Sequence, residues 1–303
     1  MKKGYFLVIF TAIISGFSIF INKFGVSVIN PYIFAWLKNS IVALFLTGVL
    51  LAFKDWKVLK HLTKKHWFLL IIIGLVGGSI PFLLFFKGLS LTGPAQAAFW
   101  HKTMFIYVAV LSFVFLKEKI DKKFFLGGLF LILGSLLLLK KLTFSPNLGD
   151  FLVFSATLFW AVENTISKYV LRTEKLQGRT VAWARMFFGS LFILIFFGAT
   201  SQLPLLSDLV LKQIGWVIVT SILLFGYVIT WYSGLKYIPV SQATVILLLG
   251  SPVTTLVSLI SGGKVSFQEI LAGFFMISGV VFVIGLKESW RLVKKLIYPV
   301  LQP

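Results

Sequence analysis

The chain has 303 residues, of which 58% are hydrophobic and 13% are charged. Soluble domains are about 45–50% apolar and about 25% charged, so this composition excludes an ordinary soluble domain. The net charge of +20 would suggest nucleic acid in a soluble protein but must first fit a membrane topology here, and the absence of cysteine excludes disulfides, thiolate metal sites and a cysteine nucleophile.

The apolar residues are grouped in stretches of about 17–25 residues, the length that a helix needs to cross about 30 Å of hydrocarbon. The period-2 alternation of a membrane β-barrel is nowhere sustained, so helices must satisfy the backbone polar groups. The first stretch follows Met1-Lys2-Lys3 without a small-residue cleavage site, so we expect a membrane helix and not a signal peptide. The sequence predicts an all-α membrane protein with ten transmembrane helices, at residues 5–25, 32–53, 67–88, 94–116, 124–140, 150–171, 180–200, 214–235, 241–261 and 270–286.

The basic residues are divided unequally between alternate loops. If the amino terminus is cytoplasmic, the outer side carries only Lys87, Lys140, Lys141, Lys212 and Lys264. The inner side carries the larger set of Lys2, Lys3, Lys54, Lys57, Lys60, Lys64, Lys65, Lys117, Lys119, Lys122, Lys123, Arg172, Lys175, Arg179, Lys236, Lys287, Arg291, Lys294 and Lys295. This asymmetry predicts a multi-pass protein of a cell inner membrane with both termini in the cytoplasm. The charge then serves orientation and contact with anionic headgroups, and a nucleic-acid partner is not expected.

The two halves of the chain are similar at a shift of about 145 to 147 residues. Because each half has five helices, the second half must cross the membrane in the opposite sense. The sequence predicts two inverted five-helix repeats, at residues 1–145 and 146–286, and a basic cytoplasmic tail at 287–303 that forms an interfacial helix up to about Tyr298. Such repeats place a substrate site near the midplane and give alternating access. The matched positions are Lys23 with Lys168, Ala35-Trp36-Leu37-Lys38 with Ala182-Trp183-Ala184-Arg185, Gly88-Leu89 with Gly234-Leu235, Gln96-Ala97 with Gln242-Ala243, and Gly128 and Gly134 with Gly273 and Gly279.

Motifs in both halves carry a resemblance to a known family. They comprise an aromatic-rich helix end with a tight turn, small residues, a mid-helix proline, and an acidic residue ahead of a glycine-bearing fifth helix. These motifs are Trp231-Tyr232-Ser233-Gly234-Leu235-Lys236-Tyr237-Ile238-Pro239, Ser241-Gln242-Ala243, Ser251-Pro252-Val253, and Leu116-Lys117-Glu118 with Gly127-Gly128 and Gly134. From about Tyr5 to Leu286 the chain resembles the drug/metabolite transporter superfamily of the EamA type. The resemblance implies a ten-helix exporter or exchanger of small metabolites, most commonly amino acids and related organic molecules.

The chain departs from the family pattern at two places. Phe105 or Ile106 stands where the first half would carry its mid-helix proline, and Gly262-Gly263-Lys264 stands where the second half would carry its acidic residue. Elsewhere, Gly77-Gly78 with Pro81, and Gly250 with Pro252, favour bends in helices 3 and 9. Close packing of small residues is the other use of such glycines.

Ionisable residues inside the predicted helices mark the candidate site. A lysine at bilayer depth costs roughly 2.5–3.5 kcal/mol on insertion scales, so it rarely persists without a partner, a cavity or water. Lys23 and Lys168 are close enough to helix ends to reach an interface by snorkelling. Lys38 and Arg185 occupy matched positions in helices 2 and 7. They either line the site or bond backbone carbonyls and headgroups.

The symmetry of the repeat is broken at His101 and Lys102, where helix 9 has Leu247 and Leu248. Neighbours on a helix point about 100° apart, so one side chain can face a cavity while the other packs between helices. We expect Lys102 to bind the anionic end of a substrate. His101 either joins it or is a neutral interhelical histidine. A feature that only one half has is a candidate for substrate choice.

Glu163 is the only acid deep in the predicted membrane region. Two roles stay open for it, a structural ion pair with a base such as Arg185 and a proton-coupling carboxylate. Nearby aromatic residues suit the wall of a site for an amino acid or an aromatic metabolite. The predicted substrate-binding set is Lys102, His101, Trp100, Lys38, Arg185, Trp231 and Tyr227, with Glu163 as the coupling or ion-pair residue.

The predicted function is a secondary transporter, an exporter of small carboxylate-bearing metabolites such as amino acids, by alternating access. The alternative is an exchanger of phosphorylated metabolites, a sugar phosphate or a nucleotide sugar, because two or more bases suit a phosphate. The sequence has no His-Glu-x-x-His and no nucleophile elbow, so no enzyme activity is expected. A receptor or an assembly subunit of the same fold is a third class. The expected partners are a small-molecule substrate and the lipid bilayer, without cofactor or metal, and a homodimer stays open.

Overall fold

In a computed structural model of the chain, residues 2–26, 29–92, 94–139, 147–204 and 211–297 are described. Within these ranges every regular element is a helix, as the bilayer requires of a chain that does not close into a barrel. The elements are α1 (Lys2–Val26), α2 (Pro31–Ala52), α3 (Trp56–Leu59), α4 (Lys64–Ile73), a π-helical turn (Gly74–Ser79), α5 (Ile80–Leu91), α6 (Pro94–Lys102), α7 (Met104–Leu116), α8 (Lys122–Leu137), α9 (Leu148–Arg172), α10 (Gly178–Ala199), α11 (Leu211–Leu235), α12 (Val240–Leu247), α13 (Gly250–Ile260), α14 (Phe267–Ile284) and α15 (Leu286–Ile297).

Ten membrane helices are built from these elements. Eight helical stretches of the described chain are long and apolar enough to cross a membrane by themselves. The other two are α8, which has 16 residues, and α9, which has 25 residues but includes two acidic and two basic side chains. Helix 3 joins α4, the π-helical turn and α5, helix 4 joins α6 and α7, and helix 9 joins α12 and α13. Helices 1, 2, 5, 6, 7, 8 and 10 are the single elements α1, α2, α8, α9, α10, α11 and α14. The predicted all-α fold with ten transmembrane helices is confirmed for the described residues.

The first helix of each half packs on the third and fourth helices of the other half. Tyr5 in α1 donates its hydroxyl hydrogen to Gln242 Oε1 over 2.6 Å. At the matched position of the second half, Asp150 in α9 accepts from Gln96 Nε2 over 2.9 Å. Close glycine–valine contacts are exchanged in the same way, Gly234 with Val8 and Gly88 with Val153. These reciprocal contacts are what two inverted five-helix repeats require.

The fifth helices of the two halves, α8 and α14, meet through glycine. A Cβ on Gly127 would lie 2.6 Å from the Gly279 carbonyl oxygen, and a Cβ on Gly279 would lie 2.7 Å from the Gly127 carbonyl oxygen. The two backbones therefore touch with no room for a side chain between them. Close backbone packing of this kind holds helices together in lipid, where burial of apolar surface provides no driving force.

Two membrane helices are interrupted where the glycines and proline predict it. Helix 3 contains the π-helical turn Gly74–Ser79, and helix 9 has a break between Leu247 and Gly250, just before Pro252. The close packing that was the alternative use of the helix 3 glycines is present as well, because a Cβ on Gly78 would meet the backbone of α10. π-Helical turns within α-helices, such as the one in helix 3, often lie at functional sites.

Helix 4 is also broken, although no proline marks the place. The break lies at Thr103, between α6 and α7. The Thr103 hydroxyl donates to the Trp100 carbonyl over 2.6 Å, and its backbone N–H bonds the same carbonyl over 3.1 Å. A hydroxyl that bonds a carbonyl three residues earlier competes with the regular helical ladder. Both halves therefore interrupt their fourth helix at matched positions by different means.

The loops 53–63 and 173–177 lie at the end of the bundle that also carries the start of α1 and the end of α14, which we call the basic end. There Lys65 Nζ contacts Glu174 Oε1 at 2.5 Å, and His66 Nε2 lies 2.9 Å from Glu174 Oε2. Hydrogen bonds from Lys65 and His66 hold the pKa of the Glu174 carboxyl at about 2. The carboxylate therefore stays ionised and keeps the start of helix 3 tied to the end of helix 6.

Replacing Gly127 with valine should lower the melting temperature of the purified protein, because the new side chain meets the Gly279 carbonyl and overpacking costs about 1–3 kcal/mol. Gly48→Val in α2 is the matched control, since nothing lies within 4 Å of a Cβ there. Tryptophan fluorescence during heating in detergent measures both variants. An equal loss in the two would show that the contact between α8 and α14 is not tight.

Candidate functional site

One face of α9 carries the polar side chains that lie deepest in the bundle. Trp160, Glu163, Asn164, Ser167 and Lys168 follow one another at helical spacing, so they share this face. All five are buried. The π-helical turn, α10 and α11 all contact α9. A polar layer therefore lies in the middle of the membrane region, and its bonds determine what the site can bind.

Glu163 is completely buried, and only one of its two carboxylate oxygens is bonded. Oε1 accepts from Ser167 Oγ over 2.6 Å and from Tyr232 Oη over 2.7 Å. Oε2 has no hydrogen-bond partner among the described residues. A buried carboxylate oxygen without a donor is costly, so it is a position where a ligand, a water or a proton would be stabilised.

The π-helical turn of helix 3 presses directly on this carboxylate. Trp160 Nε1 donates to the Gly77 carbonyl over 3.0 Å, and Asn39 Nδ2 donates to the Gly78 carbonyl over 2.6 Å. A Cβ on Gly77 would clash with Glu163 Cγ. Glycine is therefore required at position 77, because the backbone there approaches the Glu163 side chain. The carbonyls of Gly77 and Gly78 accept hydrogen bonds from side chains of α9 and α2, respectively.

Arg185 approaches the same turn from α10. It is 6% exposed, and its Nε has no partner among the described residues. The guanidinium lies 5.8 Å from the Phe82 ring centre and 5.9 Å from that of Tyr232, within range of cation–π attraction. A Cβ on Gly77 would lie 3.2 Å from Arg185 Nε, so the guanidinium and the Glu163 carboxylate approach the same point.

Glu163 and Arg185 nevertheless do not form an ion pair. In the described part of the chain the ion pairs are Lys65 and His66 with Glu174, Arg179 with Asp55, and Arg291 with Glu288. Of the two roles left open for Glu163, the described geometry does not show the direct ion pair, since its Oε1 is bonded by hydroxyl groups and its Oε2 has no partner among the described residues. An acid and a base thus approach the same glycine, with a polar atom unbonded on each.

The matched layer of the first half has the same design without an acid. Lys38 corresponds to Arg185, and its Nζ donates to Asn22 Oδ1 over 3.0 Å and lies 4.8 Å from the Phe34 ring centre. Asn22 in turn donates to Ser18 Oγ over 3.1 Å, where the second half has Ser167 donating to Glu163. The base of the first half therefore has a neutral amide partner within α1, and the structure places Lys38 apart from the carboxylate.

The break in helix 4 lies against the other edge of the α9 face. Met104 Sδ, just after the break, lies 3.8 Å from Asn164 Nδ2. Asn164 Oδ1 accepts from Trp231 Nε1 over 2.8 Å, and Tyr227 stacks on the Trp231 ring at 6.2 Å. The predicted aromatic pair Tyr227 and Trp231 is therefore joined to the polar layer through Asn164.

Trp100, His101 and Lys102 occupy the last turn of α6. The His101 ring packs edge-on against Trp160 at 5.1 Å and against Phe85 at 5.6 Å, which places it between helices 3, 4 and 6. Trp100 Nε1 is buried without a partner. Lys102 is half-buried, and no hydrogen-bond or ion-pair partner of its ammonium lies among the described residues. The structure thus brings the break in helix 4 and the α9 face together.

The environment of Lys168 differs from the predicted snorkelling to an interface. Snorkelling would bring its ammonium to an interface, but the side chain is 5% exposed and donates to the carbonyls of Leu235 and Ile238, each over 2.6 Å. Because the last carbonyls of a helix have no partner within it, the end of α11 provides acceptors that sequence position alone does not reveal. The side chain of the matched Lys23 lies outside the described residues.

Comparison with known proteins identifies the family. Residues 2–140 match the EamA-like transporter family, and residues 147–285 match it a second time. This chain belongs to the EamA-like transporter family. It is therefore a multi-pass membrane transporter, and each of the two family matches covers one set of five helices.

Relatives of this transporter agree with the family assignment. An uncharacterized transporter of Methanothermobacter thermautotrophicus is 26% identical over 221 residues, 67% of this chain and 64% of that protein, so the chain spans less than two thirds of that relative. The uncharacterized transporter YyaM of Bacillus subtilis strain 168 is 25% identical over 286 residues, 89% of this chain and 92% of that protein. One solved structure superposes with a TM-score of 0.75 at 18% identity, covering 92% of this chain and 96% of that chain, and this likeness shows the shared fold.

Tyr232→Phe should lower the stability of this transporter, because it removes only the hydroxyl that donates to Glu163. Hydrogen bonds to charged groups contribute about 1.5–3 kcal/mol. The control is Tyr107→Phe, whose hydroxyl has no hydrogen-bond partner among the described residues while its ring packs on Phe154 at 5.8 Å. Thermal unfolding in detergent compares the two, and equal melting temperatures would contradict the bond between Tyr232 and Glu163.

Proposed function

We propose that this protein is a secondary transporter that exports small carboxylate-bearing metabolites, such as amino acids, by alternating access. The observation that carries the proposal is the charge of the membrane core. Lys38, Lys102 and Arg185 are basic and Glu163 is the one acid among them, and none of these bases has an acid within ion-pair distance in the described residues.

A net positive core favours an anionic substrate. Buried charges are stable when they are paired or fully hydrogen-bonded, and the buried Arg185 Nε has no such partner in the described structure. The half-buried Lys102 ammonium likewise has no hydrogen-bond or ion-pair partner among the described residues. A carboxylate would supply charge-assisted bonds to either base, and arginine binds carboxylates with matched geometry. Lys102 and Arg185 are therefore the proposed anchors of the anionic end.

The unbonded oxygen of Glu163 favours an amino acid over a simple organic acid. Glu163 Oε2 and Arg185 Nε approach the same glycine turn, so an ammonium and a carboxylate carried by one small molecule match the two poles. Tyr227 and Trp231 offer an apolar wall with hydrogen-bonding edges beside them, as ligand sites commonly do.

Alternating access is supported by the reciprocal contacts of the two halves and by the interrupted helices 3, 4 and 9. Discontinuous helices at a repeat interface commonly hold the substrate of secondary transporters. Export through a cell inner membrane, with both termini in the cytoplasm, is proposed from the family resemblance and the asymmetry of the basic loops.

The alternative substrate class is phosphorylated metabolites. Two unpaired bases suit a phosphate, but the adjacent Glu163 carboxylate repels a dianion more strongly than a carboxylate. A thermal-shift panel of amino acids against sugar phosphates separates the two classes, and stabilisation by sugar phosphates alone would overturn the proposed substrate class.

Lys102→Met should reduce efflux of the best amino acid of such a panel by about tenfold or more. Loss of one charge-assisted hydrogen bond costs about 1.5–3 kcal/mol, and 1.4 kcal/mol corresponds to a factor of ten. Release of the radiolabelled amino acid from proteoliposomes measures the rate. The matched control is Lys87→Met, which changes an exposed lysine near the end of α5 and should leave efflux unchanged. Unchanged efflux in Lys102→Met would remove Lys102 from the site.

A further inference from the structure

Closer to the basic end than Glu163 and Asn164, a second group of charged side chains bonds backbone atoms at the ends of helices. Lys168 lies one turn beyond Glu163 and Asn164 on α9. Its ammonium donates to the carbonyls of Leu235 and Ile238, at the end of helix 8 and in the turn that follows. Helices 6 and 8, which Glu163 and Tyr232 already join, are thus tied together again one turn closer to the basic end.

Glu118 holds the start of helix 9 in the same region. It follows α7, is 8% exposed, and accepts from the backbone N–H of Val240 over 2.9 Å and of Ser241 over 3.1 Å. The Ser241 hydroxyl donates to it as well, over 2.6 Å. The first N–H groups of a helix lack partners and carry partial positive charge, so a carboxylate is a strong cap. The end of helix 4 is therefore fixed to the start of helix 9.

Arg172 completes the group. Its Nη2 donates to the Leu116 carbonyl over 3.0 Å, which ties the end of helix 6 to the end of helix 4. Three charged side chains thus connect the ends of helices 4, 6 and 8 and the start of helix 9. These four helices are also the ones that bring the helix 4 break, the α9 face and the Trp231 region together deeper in the membrane.

The other end of the bundle carries its acid at a different position. At the shift of the repeat, Glu118 corresponds to Gly263 or Lys264, and neither offers a carboxylate to the start of helix 4. The acid bonded near the start of helix 4 is Asp150, which accepts from Thr92 Oγ1 over 2.7 Å and from Gln96 Nε2 over 2.9 Å, both of them side chains. Glu118 bonds backbone N–H groups as well, so the two helix starts are held differently.

We infer that Glu118, Lys168 and Arg172 form a latch that closes the transport pathway at the basic end and separates once in each transport cycle. Apart from the bond of the Ser241 hydroxyl to Glu118, each latch bond joins a charged side chain to a backbone group at a helix end. When the helix ends move apart, water at the basic end can solvate both partners, so opening does not leave an unpaired charge in lipid. The inference rests on the alternating access proposed above but not on the substrate class.

The absence of cysteine in the chain allows a direct test with one introduced thiol. Thr244 is the reporter position, because it is 2% exposed and lies in α12 one turn deeper in the membrane than the Glu118 contacts with Val240 and Ser241. It bonds only the carbonyls of Val240 and Ser241 in its own helix. A membrane-impermeant maleimide is added to inside-out vesicles that contain Thr244→Cys. Combining the reporter with Lys168→Met or with Arg172→Gln should raise the labelling rate about tenfold, since each variant removes charge-assisted bonds without touching α12.

The matched control is Glu269→Gln, because Glu269 also caps a helix start, accepting from Ser266 N over 2.7 Å at the opposite end of the bundle. It should leave the labelling rate unchanged. Unchanged labelling in both latch variants, or an equal rise in the control, would overturn the latch. Size-exclusion profiles show which variants are folded, and if Lys168→Met is not, Arg172→Gln decides. Labelling needs no substrate, so the labelling result still holds if the proposed substrate class is wrong. If amino-acid efflux is observed but the latch variants do not change the labelling rate, the latch is overturned and the proposed function is not.

Discussion

Charged side chains inside a bilayer need hydrogen bonds from the protein, because lipid cannot supply them. The structure depends on the bonds made to the side chains on the buried face of α9. Glu163 receives hydroxyl groups from its own helix and from α11, and the backbone of helix 3 comes so close to it that only glycine fits at position 77. This close approach occurs in the π-helical turn, an irregularity that often lies at functional sites. The bonding remains incomplete, because Glu163 Oε2 and Arg185 Nε have no partner among the described residues.

The inverted repeat explains which parts of this arrangement are scaffold. Both halves have a base at the matched position of their second helix and a serine-containing layer on their first helix, and both exchange the same glycine–valine contacts. In the first half the layer is neutral and Lys38 is satisfied by an amide. Only the second half places an acid opposite its base, and only the first half places Lys102 at a helix break. We therefore propose that substrate recognition depends on the positions where the halves differ.

The sequence predicts the large features because they depend on strong, repeated physical signals. Twenty-residue apolar stretches, glycine bends and a common offset between halves give the ten helices and the inverted repeat. The break at Thr103 was not predicted, because a single hydroxyl bonding a carbonyl three residues back leaves no mark in an apolar pattern. The partners of Lys168 were missed for the same reason, since backbone carbonyls carry no sequence signature. Asn39 was also missed, although it is next to Lys38 and fully buried.

The function proposed for this transporter depends on an acidic and a basic group that approach Gly77, with Lys102 as a second base, receiving a substrate of opposite charges. The most direct measurement is a structure of the transporter with the amino acid that shows the largest efflux. We expect the substrate carboxylate within hydrogen-bond distance of Arg185 or Lys102 and its ammonium at Glu163. A direct ion pair between Arg185 and Glu163, with the substrate bound elsewhere, would contradict it.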